Sequence, residues 1–115
     1  MSFWRKEVID HALDHETRTH INEQLAWIER EPANAHPYYH LAQLYRVAFR
    51  QDEALGLLLE AVRLQPGYAE AHVALAEIYI VRDDHPAAWR HARTAETLGD
   101  PRAADLLRRY GVTPP

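Results

Sequence analysis

The chain has 115 residues, a formal charge of −4 at neutral pH and a pI near 6.0. With 47% hydrophobic and 26% charged residues it is too apolar for disorder, and the absence of cysteine removes disulfide frameworks, cysteine-based zinc or iron–sulfur sites and thiol catalysis together. The acidic balance speaks against nucleic acid or an anionic membrane as the main partner; with neither a signal-like apolar run nor a stretch near the roughly 20 apolar residues of a membrane span, the expected address is cytoplasmic.

In chain order, residues 1–34 hold two amphipathic patterns: Phe3, Trp4, Val8, Ile9, Ala12 and Leu13, then Ile21, Leu25, Trp27 and Ile28. They predict an N-terminal helical hairpin whose second helix is capped by Thr17 or Thr19. Tyr38, Leu41, Ala42 and Tyr45 then fall at i, i+3, i+4 and i+7, which predicts a helix over 35–48. Ala54, Leu57, Leu58 and Ala61 repeat that spacing over 52–64 after a polar break at 50–52. Leu75, Ala76 and Tyr79 predict a helix over 69–81, and Ala88, Ala92 and Ala95 one over 86–98. Asp84 or His85 is placed to cap the last of these, with Pro86 in its first turn where a missing N–H costs nothing. Pro101, Ala103, Ala104, Leu106, Leu107 and Tyr110 suggest a closing helix ended by Gly111, and 112–115 reads as a loose tail.

These patterns repeat. Sliding the chain until Ala35 falls on Ala69 also brings Leu41–Ala42 onto Leu75–Ala76 and Tyr45 onto Tyr79. The same shift pairs Ala54 with Ala88, Ala61 with Ala95 and Leu64 with Leu98, while Glu31–Pro32 and Gln65–Pro66 punctuate at the same interval. The expected organisation is one domain: a degenerate hairpin (1–34), two repeats (35–68 and 69–102), a capping helix (103–111) and the tail (112–115).

A 34-residue helix–turn–helix unit with Leu-Ala-x-x-Tyr in its first helix, Ala in its second and Pro at its end resembles the tetratricopeptide repeat. Tyr38, Leu41, Ala42, Tyr45, Ala54, Leu58, Ala61 and Pro66 occupy the eight signature positions of the first unit. The second keeps Leu75, Ala76, Tyr79, Ala88 and Ala95, but has His72, Ala92 and Asp100 where a large apolar residue, an aromatic and Pro are usual. The resemblance implies an all-α solenoid of antiparallel helix pairs, a right-handed superhelix of about seven helices here. Terminal units of such stacks are commonly atypical.

In the resembled family a second stripe on each first helix, roughly 130° from the signature stripe, lines a concave groove that takes an extended peptide or a partner helix. That stripe is His36, Tyr39, Gln43 and Arg46 in the first repeat and Glu70, Val73, Glu77 and Ile80 in the second. The expected role is therefore an interaction module or adaptor, with Tyr39 and Arg46 as anchor types and Val73 and Ile80 as apolar contacts, unless those two simply pack between helices. The Lys/Asn/Arg set with which some relatives grip a C-terminal carboxylate is missing: His40 and Ala74 stand at the Asn position. A self-associating scaffold, pairing through Phe3, Trp4 or Leu106, Leu107 and Tyr110, is the alternative.

Eight histidines invite a metal reading. His11/His15 and His36/His40 are i,i+4 pairs, and Glu70 is a third candidate beside His36 and His40 for zinc or nickel. The same residues serve equally as solvated or packing histidines, and no resident metal or cofactor is expected. Nor is catalysis: Ser2 is the only serine, Gly56, Gly67, Gly99 and Gly111 form no phosphate loop, and Asp52–Glu53 and Asp83–Asp84 sit at helix starts that favour negative charge.

Overall fold

The computed structural model describes the backbone from Ser2 to Pro115 and the side chains from His15 onward. The described residues form six helices and no strand: α1 (Ser2–Arg30), α2 (Ala35–Val47), α3 (Gln51–Leu64), α4 (Ala69–Val81), α5 (His85–Thr97) and α6 (Arg102–Arg109). Connections of three or four residues separate them. The four central helices lie within a residue or two of the spans that periodicity predicts.

The N-terminal hairpin is not formed. Residues 2–30 make one continuous helix, which leaves six helices instead of seven. The hydroxyl expected to cap a second helix turns back into the first: Thr19 Oγ1 donates to the His15 carbonyl at 3.1 Å, one turn earlier. A threonine that bonds the i−4 carbonyl sits inside a helix as readily as at its start, so Thr17 and Thr19 carry no boundary. Phe3, Trp4, Val8, Ile9, Ala12, Leu13 and His11 lie outside the described side chains.

The ends of α2 and α4 match one repeat apart. After α2, the Phe49 N–H bonds the Arg46 carbonyl (3.1 Å) and the Arg50 N–H bonds that of Tyr45 (2.8 Å). After α4, Asp83 bonds Ile80 (3.0 Å) and Asp84 bonds Tyr79 (2.9 Å), the same pair of bonds one repeat later. This is a Schellman ending, which needs a left-handed residue just past the helix. Gly99 and Gly111 fill that place after α5 and α6, but Phe49 (φ 62°) and Asp83 (φ 60°) fill it after α2 and α4. Asp84 then caps α5, accepting from the Ala87 N–H at 3.2 Å, and Pro86 occupies its first turn as expected.

Small side chains set the packing. Ala42, Ala54, Ala61, Ala76, Ala88 and Ala95, the alanines of the repeat pattern, are all fully buried. One apolar cluster joins α2, α3 and α4 through Ala42, Ala54, Leu58, Ala61, Leu75 and Ile78; a second joins α4, α5 and α6 through Val73, Ala76, Trp89, Ala92, Ala104 and Leu107. Since α4 serves both, every residue from Ala71 to Ala76 is buried, His72 included, so the middle of this helix is covered on all sides. Each helix packs mainly on its neighbours in sequence, with α6 also reaching α4.

The result is thin: 43 × 40 × 17 Å, with a radius of gyration of 15.6 Å. A compact domain of this length has a radius of about 13 Å. The third dimension is less than two helix diameters of about 10–12 Å each. Trp89, 1% exposed, ties down the C-terminus by donating from Nε1 to the Val112 carbonyl at 3.1 Å. Val112 is half-buried against the second cluster, so it is held where a loose tail was expected to begin. No described helix is long and apolar enough to cross a membrane.

Candidate functional site

The side chains of interest project from α2. Asn34 caps this helix, its Oδ1 accepting from the His36 N–H at 3.0 Å, which fixes where the first turn begins. His36, Tyr39, Gln43 and Arg46 then follow at intervals of three or four residues, so one face carries them all.

Three of them are linked. Gln43 Nε2 donates to Tyr39 Oη at 3.4 Å, and Arg46 Nη1 donates to Gln43 Oε1 at 3.2 Å. The same Arg46 nitrogen meets Glu77 Oε1 on α4 at 3.4 Å, so the row crosses from one helix to the next. Both partners of that ion pair are partly exposed, which limits it to about 0.2–1 kcal/mol. It orders the two side chains more than it stabilises the fold.

At the other end of the face stands an aromatic cluster. The Tyr39 ring centre is 5.1 Å from that of Tyr68 and 5.4 Å from that of His40; His36 lies 5.0 Å from Tyr68 and meets its hydroxyl through Nδ1 at 3.0 Å. Tyr68 is only 4% exposed, and burial, together with the carboxylate of Glu70 and the Tyr39 hydroxyl, pushes its own hydroxyl up to about 12. Burial raises Tyr39 as well, and Glu70 adds to it, while Arg102 and Arg46 act in the opposite direction. Both hydroxyls stay protonated and available as donors at neutral pH.

The structure divides the expected groove residues into two groups. His36, Tyr39, Gln43, Arg46, Glu70 and Glu77 reach the surface wholly or in part. Val73 does not: it is 5% exposed and belongs to the second apolar cluster, whereas Ile80 packs on that cluster and stays partly exposed. The reason is the central position of α4, whose apolar residues are consumed by neighbours on both sides. The apolar contribution expected of Val73 is therefore structural, and the accessible face is polar and aromatic, with Ile80 the one expected aliphatic contact still partly exposed.

His36, His40 and Glu70 are not gathered into a ligand set. His36 Nδ1 is engaged by Tyr68, whereas His40 stacks on Trp27 of α1 at 6.5 Å. Among the described residues no group of three or more His, Asp or Glu assembles for a metal. Beside His40, between α1 and α2, His20, Gln24, Gln43, Leu44 and Val47 line an open cleft of about 370 Å³.

Two members of this surface escape the stripe rule. Tyr68 immediately precedes α4, and Arg102 opens α6, where its guanidinium pairs with Asp100 (Nε–Oδ1 2.9 Å, Nη2–Oδ2 2.7 Å) and lies close enough to feel Glu77 and Tyr39. They are equivalent residues, each at the last position of its repeat. That equivalence is the available signal: the residue at the junction with the next helix turns onto the same face as the stripe. The chain matches no protein-family model and no curated protein.

Proposed function

We propose that this chain is a cytoplasmic protein-interaction module, built as a tetratricopeptide-like right-handed solenoid, that binds an extended peptide or a helix of another protein. What supports this reading is the match of α2 with α4 at the repeat interval: both have 13 residues, and the same two bonds close them around left-handed Phe49 and Asp83, as expected of equivalent first helices. The binding face is then Tyr39, Gln43, Arg46, Glu70 and Glu77, with His36 at its edge and Tyr68 and Arg102 added to it. A row of hydrogen bonds already orders Tyr39, Gln43, Arg46 and Glu77, which lowers the entropy a partner must overcome. The reading needs no catalysis, no resident metal or cofactor, no nucleic acid and no membrane.

The test is capture of partners crosslinked to the chain in its own cell, comparing the parent with a Tyr39→Ala/Arg46→Glu double variant. Loss of specific partners from the variant is expected; equal capture of every partner ends the groove assignment.

A second reading, self-association, has a specific observation behind it. Val47, Phe49 and Val81, together with Tyr110, are large apolar side chains left exposed, the first three near the α2–α3 and α4–α5 turns. Among the C-terminal candidates for such pairing, Leu107 is fully buried and unavailable. Light scattering decides this reading: a monomer at high micromolar concentration excludes it.

A further inference from the structure

The charges on the α2/α4 face are unequally satisfied. Arg46 is shared between Gln43 and Glu77, and Arg102 is held by both oxygens of Asp100. Glu70, exposed in the first turn of α4, has no hydrogen bond or ion pair among the described residues. Its place at a helix start favours a negative charge there but leaves the carboxylate oxygens open to a ligand. Its charge is felt by both Tyr39 and Tyr68, whose rings lie 5.1 Å apart, with Tyr39 partly exposed. Counting Arg46, Arg102, Glu70, Glu77 and Asp100, this face carries one negative charge in excess, and among the described residues Glu70 is the carboxylate of the set with no ion-pair partner.

We infer that the corner formed by Tyr39, Tyr68 and Glu70 is a subsite for an arginine side chain of the bound partner. A guanidinium is flat, weakly hydrated and always charged, so it lies against a tyrosine ring while its N–H groups reach a carboxylate. Tyr39 supplies a partly exposed ring, Tyr68 backs it from the buried side, and Glu70 supplies the acceptor. At the opposite end the Arg46–Glu77 pair already neutralises itself, so the cation is directed to Glu70 and the partner's orientation along the groove is set.

This inference rests on the groove reading and is tested separately from it. Backbone amide and tyrosine ring signals are followed by NMR while N-acetyl-arginine amide is added, with N-acetyl-citrulline amide as the uncharged analogue of the same shape. Saturable shifts at Tyr39, Tyr68 and Glu70 are expected with arginine, with at least fivefold weaker binding of citrulline. Glu70→Gln, an exposed change that leaves the core untouched, is expected to weaken arginine binding at least threefold, as is Tyr39→Leu. Equal responses to arginine and citrulline, no response to either, or unchanged binding in Glu70→Gln overturns the subsite. If the subsite fails while Tyr39→Ala/Arg46→Glu still loses its crosslinked partners, the groove reading survives alone. If arginine binds but capture is unchanged, the groove reading fails instead.

Discussion

Lowering the pH from 7 to 5 is expected to weaken the fold through two histidines that meet between α4 and α5. His72, 7% exposed, places Nε2 at 2.9 Å from the Pro66 carbonyl, and since a carbonyl only accepts, that nitrogen carries a proton. In the neutral ring its Nδ1 is then an acceptor, so the facing Nδ1 of His91, at 3.1 Å, must be the donor. His91 also stacks on Tyr79 with ring centres 5.7 Å apart. Burial, with His72 and Arg90 adding repulsion, holds His91 down to about 4 from its ordinary 6.5. The unfolded chain therefore binds this proton more readily than the folded one. Stability is complete above about 6.5 and falls as the pH drops toward 4. Between pH 7 and 5 a full shift converts to roughly 2 kcal/mol, and screening of a half-buried ring reduces that to about 1 kcal/mol. The assay is urea unfolding at pH 7, 6 and 5, comparing the parent with His91→Gln, whose neutral amide still offers a donor to His72. The variant should lose about 1 kcal/mol less over that range. Identical pH dependence in both would refute the linkage.

Three further outcomes concern packing and backbone. Ala54→Leu and Ala88→Leu, at fully buried seam positions, are each expected to destabilise by about 1–3 kcal/mol in chemical denaturation, and an unchanged midpoint would contradict the close helix contact. Phe49→Gly removes a left-handed strain of roughly 1–2 kcal/mol at a side chain that is 83% exposed, against the entropy glycine adds to the unfolded chain. A net gain of about 0.5–1 kcal/mol should appear as a higher Tm, whereas a lower one would mean that the phenyl ring packs. Gly56 lies inside α3 with nothing within 4 Å of an added Cβ, so Gly56→Ala should also raise stability by about 0.5–1 kcal/mol in the same assay.

Which features could be read from the amino acids follows from how local their causes are. The spans of α2 to α5 come from apolar spacing within a dozen residues, and Asp84 and Pro86 announce the start of α5 through their own chemistry. The continuity of α1 was illegible because threonine serves both inside a helix and at its boundary. Val73 departs from expectation for another reason: an apolar residue off the signature stripe is exposed on an outer helix and buried on one with neighbours on both sides. His72 stands out as a departure from the repeat pattern, but its explanation lies in the distant ring of His91 and a carbonyl in the preceding turn. On the candidate face, the stripe spacing puts Tyr39, Gln43, Arg46 and Glu77 side by side, and hydrogen bonds link these four. It did not reveal Tyr68 or Arg102, which reach that face from the junctions with α4 and α6, outside the first-helix stripe.

The sequence-local packing of these helices bears on how the chain folds. Because each helix closes on the one just made, with α4 and α6 the widest of the main contacts, the chain never has to bring distant segments together before contacts offset the entropy lost. Helical proteins wired this way fold on the microsecond-to-millisecond scale. Folding can begin at either apolar cluster and spread through α4, which both share. Fraying, by the same logic, runs inward from α1 and α6, so hydrogen exchange should be slowest in α4 and faster toward either end.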